Sequence, residues 1–188
     1  MSNLLWSLMA KLLWSLSPRR SQAAVSVVVA AGLVFFAPAA PSSAAPSPET
    51  ALRAATAKYH SITRALADGF VPTDECAELP AVGVMGYHYV NPERLGDGVI
   101  DANNPDILLY TKGEHGRLRL AGAEWFAVDP DQELSTDDGR PELFGQKFDG
   151  PMPGHEPDMP IHFDLHAWVW QDNPAGTFAP WNPALTCS

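Results

Sequence analysis

Apolar residues recur every three or four positions near residue 50 and predict one long helix. Ser47, Pro48 and Glu49 form a typical helix start, because a serine cap, a proline in the first turn and an early acid all favour one. The apolar positions that follow share one helical face: Leu52, Ala55, Tyr59, Ile62, Leu66 and Phe70. Gly69 and Pro72 end the pattern, so we expect a helix of about five turns.

Beyond Cys76 the pattern changes to short apolar runs separated by Pro, Gly, Asn and Asp, which is typical of strands. The runs are VGVMGYHYV (82–90), DILLYT (106–111), LRLAGAEWFAV (118–128) and IHFDLHAWVW (161–170). The polar segment 129–160 is longer than a simple connecting loop needs to be, so we expect an ordered loop that could cover a site. The chain therefore predicts an α+β fold, with the N-terminal helix packed on a mainly antiparallel sheet or a partly closed β-barrel of at least four strands.

The amino-terminal segment has the composition of an export signal. Residues 1–45 contain no Asp or Glu, and an apolar run at 23–37 is long enough for a signal sequence but short for a membrane span. Small residues around Ala44 and Ala45 suit signal peptidase. We expect a signal peptide over 1–45 and a single domain over 46–188, with 46–48 as a linker, secreted or held in the periplasm or cell envelope. An uncleaved signal anchor is the alternative.

Charge narrows the range of partners. Beyond residue 45 the chain carries nine Lys and Arg against 22 Asp and Glu, a net charge of −13. A surface this acidic repels nucleic acid and anionic lipid. We therefore expect no nucleic-acid partner and no membrane contact beyond the signal segment. A small-molecule or metal ligand remains open, as does the oligomeric state.

Two cysteines predict one disulfide. Cys76 and Cys187 are the only cysteines of the chain, and an even pair in an exported domain is typical of a bridge. It would close a loop of about 110 residues and hold the carboxyl terminus near the end of the first helix.

The triplet His162-x-Asp164-x-His166 is the strongest chemical pattern. On a strand these three side chains share a face with Trp168 and Trp170. Neighbours two residues apart lie about 6.5–7 Å apart, so an imidazole and a carboxylate can bind one ion, or the carboxylate can orient the imidazole. The two histidines are about 13 Å apart, so the expected unit is Asp164 with one His. The alternative is a set of ordinary hydrogen-bonded polar residues.

Two further polar residues lie on apolar strand faces. Glu124 shares its face with Leu120 and Phe126, and burying a carboxylate there is costly unless it is paired, protonated or bound to a metal. His88 lies on a similar face of the 82–90 run. If these strands are neighbours of the His162 strand, the side chains could hold one divalent transition metal, Zn, Mn, Fe or Cu. They would equally suit a metal-free acid–base pair, and whether the protein is an enzyme or a metal carrier stays open.

A second reading is a non-catalytic ligand-binding module or a structural envelope protein. Tyr87, Trp168 and Trp170 could line an aromatic pocket, since rings provide stacking area. The sequence contains no phosphate-binding glycine loop, no G-x-S-x-G and no HExxH. The common nucleotide, serine-hydrolase and zinc-protease motifs are therefore absent.

Four segments carry a resemblance to known sequences. GYHYVNP (86–92), LLY (108–110), AGAEWF (121–126) and HFDLHAWVWQDNPAGTFAPWNP (162–183) together resemble a group of secreted bacterial proteins with no assigned activity. The resemblance spans most of the expected domain. It implies a shared fold and assigns no reaction, cofactor or site residue.

Overall fold

The computed structural model describes residues 45–155 and 158–187, with the side chain of Asp74 left out. The predicted signal peptide lies outside this part, except for Ala45. The helices are Pro48–Thr56 (α1), Ile62–Ala67 (α2) and Pro92–Asp97 (α3). The strands are Val71–Leu79 (β1), Gly83–Val90 (β2), Ile107–Lys112 (β3), Leu118–Val128 (β4), Glu142–Leu143 (β5), Gln146–Lys147 (β6), Asp149–Met152 (β7) and His162–Ala167 (β8).

Six strands form one open antiparallel sheet in the order β1-β2-β3-β4-β8-β7. The predicted α+β class with a mainly antiparallel sheet is confirmed, and the alternative of a partly closed barrel is wrong. The edge strands are poorly suited to closure, because β7 has four residues and the pairing of β1 with β2 shifts register between Pro72 and Cys76. The helices instead cover the apolar face that a barrel would turn inward.

The predicted long helix is divided into two. A 3-10 turn over Ala57–His60 follows α1, and Ser61 is extended and caps α2 by accepting a hydrogen bond from the Arg64 N–H. The break changes which side chains face the sheet: Ala65 is fully buried, whereas Leu66 is 49% exposed. A local serine cap therefore overrides the 3.6-residue spacing on which the single helix was predicted. The start is as expected, since Ser47 caps α1 through the Thr50 N–H.

The strand predictions were accurate in the middle of the sheet and poorer at its ends. β4 spans the predicted residues 118–128, and β2 and β3 lie within one residue of theirs. β1 was not predicted, because its polar sequence VPTDECAEL lacks an apolar alternation. β8 ends at Ala167, three residues early, where the Val169 N–H bonds to the Ala167 carbonyl and turns the chain.

The first helix α1, the 3-10 turn and α2 pack on one face of the sheet and leave the other for the polar site. Two apolar clusters lie on the helix side: one joins Leu52 to Trp125 and Leu165, and the other joins Tyr59 to Tyr110. The Tyr110 hydroxyl donates to the Tyr59 carbonyl at 2.6 Å, which anchors the 3-10 turn on β3. Side chains alternate along strands, so the intervening residues of β4 and β8 project to the opposite face.

The long polar segment is ordered where it is described, as predicted. The side-chain amide of Gln132 pairs with the backbone of Ile161, donating at 2.8 Å and accepting at 3.0 Å. Arg140 donates to the Phe148 carbonyl at 2.7 Å and also to the Gly150 carbonyl. The Gln132 bonds tie the start of the segment to the residue before β8, the Arg140 bonds connect parts of the segment to each other, and β7 within it forms an edge strand.

The carboxyl-terminal tail returns to β2, and the predicted disulfide is present. Asn182 and Val84 exchange two backbone hydrogen bonds, and Cys76 is bonded to Cys187 across 111 residues of sequence. The bridge ties the tail to edge strand β1. Among the described residues, no helix is long and apolar enough to cross a membrane.

Candidate metal centre

The register of the sheet places three predicted site residues in one group on the face away from the helices. Glu124 on β4 lies directly opposite His166 on β8, and Ile107 on β3 lies on the other side of Glu124. His88 on β2 is opposite Leu109 of β3, so its side chain must cross β3 to reach Glu124. Three strands therefore contribute to one site: β4 and β8 are neighbours, whereas β2 is separated from β4 by β3. The sequence left this arrangement open.

The donor atoms of this group converge on one another. His88 Nε2 lies 3.2 Å and His166 Nε2 3.5 Å from Glu124 Oε2. The three ligand atoms all lie within 4.8 Å of each other, a spacing at which the group could hold a metal ion. The rings of His88 and His166 are nearly perpendicular, at 88°, and their centroids are 6.4 Å apart. Both imidazoles thus present a nitrogen to the same carboxylate oxygen.

Gly122 makes the close approach of β4 and β8 possible beside this group. A Cβ at this position would lie 2.4 Å from the Ala167 carbonyl oxygen, so no larger residue fits without moving the backbone. Since Gly122 is two residues from Glu124 and Ala167 follows His166, the absence of a side chain here helps to fix the position of both site residues.

Two members of the group, Glu124 and His166, are buried and have polar atoms without a hydrogen bond. His166 is 0% and Glu124 5% exposed. Among the described residues, no hydrogen bond satisfies Glu124 Oε2 or either ring nitrogen of His166. Burial alone would raise the pKa of Glu124, but the imidazoles of His166 and His88 outweigh it and lower that pKa. For His166 the balance is the opposite. Burial alone would lower its pKa, but the negative charges of Glu124 and Asp164 outweigh burial and raise that pKa. The cluster therefore favours positive charge between its carboxylates.

Two more carboxylates border the site on the β7 side. Asp164 Oδ1 lies 3.5 Å from His166 Nδ1, on the side of the ring away from Glu124. Asp149 of β7 stands directly opposite Asp164, and its pKa is raised by burial and by the neighbouring Asp164 charge. Sequence reasoning missed Asp149, because a single acid in a short edge strand gives no pattern.

His162 lies outside the group although it shares the face. It is opposite Val128, four residue pairs along the strands from His166, and its Nδ1 pairs with the Pro160 carbonyl at 3.0 Å. Its ring stacks on Phe126 at 4.7 Å, and His155 packs against it edge-on at 5.3 Å. His155 is exposed and still helps to lower the pKa of Glu124, so it lies on the solvent side of the site.

The predicted aromatic pocket residues do not share a face with the site. β8 ends at Ala167, so the expected alternation that would place Trp168 and Trp170 beside His166 is wrong. Trp168 donates to the Ala179 carbonyl, and Trp170 donates to Thr56 Oγ1 on the helix side. Tyr87 packs against the cluster around Tyr110. Tyr87 and Trp170 thus pack on the helix side of the sheet, and the Trp168 indole is bonded to the carboxyl-terminal tail.

A buried carboxyl next to the site provides a pH-dependent test of the fold. Asp106 accepts a hydrogen bond from the Phe126 N–H at 3.0 Å, while its Oδ1 has no partner in the described part of the chain. Burial raises its pKa to about 6, and the negative charges of Asp97 and Glu124 add to this. Because the folded form holds the proton more tightly, this contribution to stability is present below about pH 4 and is lost as pH rises through 6.

We expect Asp106→Asn to remove that loss. Relative to wild type, the variant should gain about 1–2 kcal/mol of unfolding free energy between pH 4 and pH 7, after allowance for solvent screening. Urea titrations of both proteins at several pH values, in the presence of EDTA, measure the difference. A difference that does not change with pH would contradict the assignment of a raised pKa to Asp106.

Comparison of the chain with family models, with curated proteins and with solved structures found no match. Its own fold and site therefore define it. It is an α+β domain with an open six-stranded antiparallel sheet and a buried His88–Glu124–His166 group that could hold a metal ion.

Proposed function

We propose that this chain is an exported protein whose domain binds one divalent transition metal ion through His88, Glu124 and His166. The observation that carries the proposal is the convergence of three donor atoms on one point, two of them on the buried residues Glu124 and His166, together with the missing hydrogen bonds of Glu124 Oε2 and His166 Nε2. Buried polar atoms in folded proteins are nearly always satisfied, so unsatisfied ones that face each other call for an ion or a water molecule between them.

Charge balance supports an ion at this point. Glu124, Asp164, Asp149 and Asp106 are all at least partly buried on or beside the site face. The nearby Arg140 makes its recorded bonds to Asp137 and to backbone carbonyls, so it does not pair with these carboxylates. When both imidazoles act as neutral ligands, these carboxylates leave excess negative charge, which a divalent cation compensates.

The donor set favours a site with open positions. Two imidazoles and one carboxylate are the protein ligands of zinc in several hydrolytic enzymes, and the same set binds iron(II) in oxygenases. Three protein ligands leave at least one position for water or substrate, unlike a closed structural site. We expect zinc first, followed by iron or manganese. Copper is less favoured, because no Met or Cys belongs to the group.

The second candidate function is a metal-free acid–base site built from the same residues. It is favoured by the opposite pKa directions of Glu124 and His166, which describe an imidazolium held between carboxylates. A carboxylate and a neighbouring imidazole can exchange a proton with a bound substrate. By contrast, no specific contact favours the aromatic ligand-binding module, since its three rings are engaged elsewhere.

Export is part of the proposal and rests on the amino-terminal sequence. The disulfide between Cys76 and Cys187 is compatible with an oxidising compartment, where such bridges persist. The acidic domain has a charge that opposes binding to nucleic acid.

Elemental analysis of the exported protein tests the proposed function. The domain should be purified from the periplasm or medium without a His tag and without chelator, so that neither supplies nor removes metal. We expect close to one equivalent of a single transition metal, or one equivalent after reloading the EDTA-treated protein with zinc. Absence of metal under both conditions would reject the metal site and leave the acid–base site as the function to test.

A further inference from the structure

Asp164 lies beside the His166 ring, at the nitrogen that does not face Glu124. The two residues are two positions apart on β8, so their side chains project to the same face. Asp164 Oδ1 lies 3.5 Å from His166 Nδ1, and both atoms are buried. The other ring nitrogen, Nε2, faces Glu124. The imidazole is therefore held between two carboxylates, one at each nitrogen.

The Asp164 carboxylate has one basic neighbour in the described part of the chain. Within the described residues, His166 is the only ion-pair partner of this carboxylate, and no hydrogen bond is recorded for its Oδ1. Its neighbour across the strands is Asp149, a second acid that cannot donate while ionised. A buried carboxylate without a donor is costly, so the proton of His166 is best placed on Nδ1, where it points towards Asp164.

His162 provides an internal contrast on the same strand. It is also two residues from Asp164, but its Nδ1 pairs with the Pro160 carbonyl and its ring stacks on Phe126. Backbone and aromatic contacts orient that ring without a carboxylate. Of the two histidines flanking Asp164, only His166 lies within ion-pair distance of it.

We propose that Asp164 is the positioning residue of the metal centre. It accepts the Nδ1–H of His166, fixes the tautomer that leaves the Nε2 lone pair free, and holds Nε2 towards the point where His88 and Glu124 converge. The inference rests on the proposed metal-binding function. Carboxylates that hold a ligating histidine in this way also increase its basicity, and their loss weakens metal binding about 10–100-fold. Asp164 thus acts through His166 and does not itself contact the ion.

The test compares zinc affinity of the full chain in wild type, Asp164→Ala and Asp164→Asn, measured by competition with a chelator of known affinity. We expect one zinc per chain in all three. Affinity should fall about 10–100-fold in Asp164→Ala and less in Asp164→Asn, whose amide oxygen can still accept the Nδ1–H. Asp129→Asn is the matched control, because Asp129 is also buried with one unpartnered oxygen but does not belong to the group that converges on Glu124. Its zinc affinity should stay close to that of wild type.

Nitrogen-15 NMR of the zinc-loaded proteins gives a readout that folding alone would not move. In wild type the His166 Nδ1 should carry a slowly exchanging proton and Nε2 should show the shift of a metal ligand. In Asp164→Ala the Nδ1 proton should exchange rapidly while circular dichroism remains that of the folded protein. If Asp164→Ala does not fold, the smaller change in Asp164→Asn decides the question by the same measurements.

The outcomes separate this inference from the function on which it rests. If wild type binds no zinc, the proposed metal site fails and the positioning role fails with it. If wild type binds zinc and both Asp164 variants bind equally well with an unchanged Nδ1 signal, the positioning role alone is overturned. It is also overturned if Asp164→Ala loses zinc completely, as removal of a direct ligand would, because Asp164 would then be a ligand.

Discussion

His166→Ala is expected to lower zinc affinity by at least about 100-fold, whereas His162→Ala leaves it close to the wild-type value. The reason is geometric. His166 Nε2 lies 3.5 Å from Glu124 Oε2 at the converging point, while His162 is held by the Pro160 carbonyl outside the group. Loss of an inner ligand should cost more than the 10–100-fold typical of an outer one. Chelator competition on the purified proteins gives both affinities.

Glu124→Gln extends this prediction without changing the shape of the site. The amide keeps one acceptor oxygen but removes the negative charge that both imidazoles face, so zinc affinity should fall as well. In thermal unfolding, zinc at 100 times its dissociation constant should stabilise wild type by about 2.7 kcal/mol. At the same zinc concentration the stabilisation should fall to about 0.4 kcal/mol or less in His166→Ala, be reduced in Glu124→Gln and be retained in His162→Ala.

A reversed result would relocate the site. If His162→Ala abolished binding and His166→Ala did not, the ion would have to lie near His162 and the exposed His155, which packs against it. If all variants bound zinc equally, the binding would belong to the acidic surface. The paired histidine variants are informative because both residues lie on one strand, share one face and are fully buried.

The site illustrates which parts of a functional centre a sequence can predict. The residue types and their faces were accessible, because alternation places His166 on a polar face of β8 and Glu124 as a lone carboxylate on an otherwise apolar face of β4. Their meeting was not accessible, since it depends on the pairing of β4 with β8 and on His88 reaching across β3. When two paired strands are about 40 residues apart, the sequence around each strand does not indicate which strand is its partner. The intervening 129–160 segment could have placed β8 at either edge of the sheet.

The fold, like the site, could be predicted only in part from the sequence. The central strands follow strong apolar patterns, and β4 begins and ends where its pattern does. β1 escaped prediction because it is an edge strand with mostly polar residues, held by pairing with β2 and by the tail. The division between α1 and α2 depends on Ser61, a residue that also suits the exposed face of a continuous helix. Context decided between the two, because Leu52 and Tyr59 pack into different apolar clusters.

Removing the disulfide is expected to cause the largest loss of stability. Cys76 and Cys187 are 111 residues apart, so the bridge restricts the unfolded chain strongly. The chain-entropy model gives about 4–5 kcal/mol for such a loop, and measured values for native bridges are commonly about 2–5 kcal/mol. We expect the double variant Cys76→Ser/Cys187→Ser to lose about this much unfolding free energy in urea.

The same bridge also fixes the tail locally, which gives the experiment its controls. The tail is held to β2 by the paired backbone groups of Asn182 and Val84, and Lys112 donates to the Cys187 carbonyl at 3.1 Å. Reduced wild type should therefore match the double variant, and reductant should not affect the variant. EDTA in every sample excludes a contribution from bound metal. A loss below about 1 kcal/mol would mean that these noncovalent contacts, and not the covalent bridge, hold the tail against the sheet.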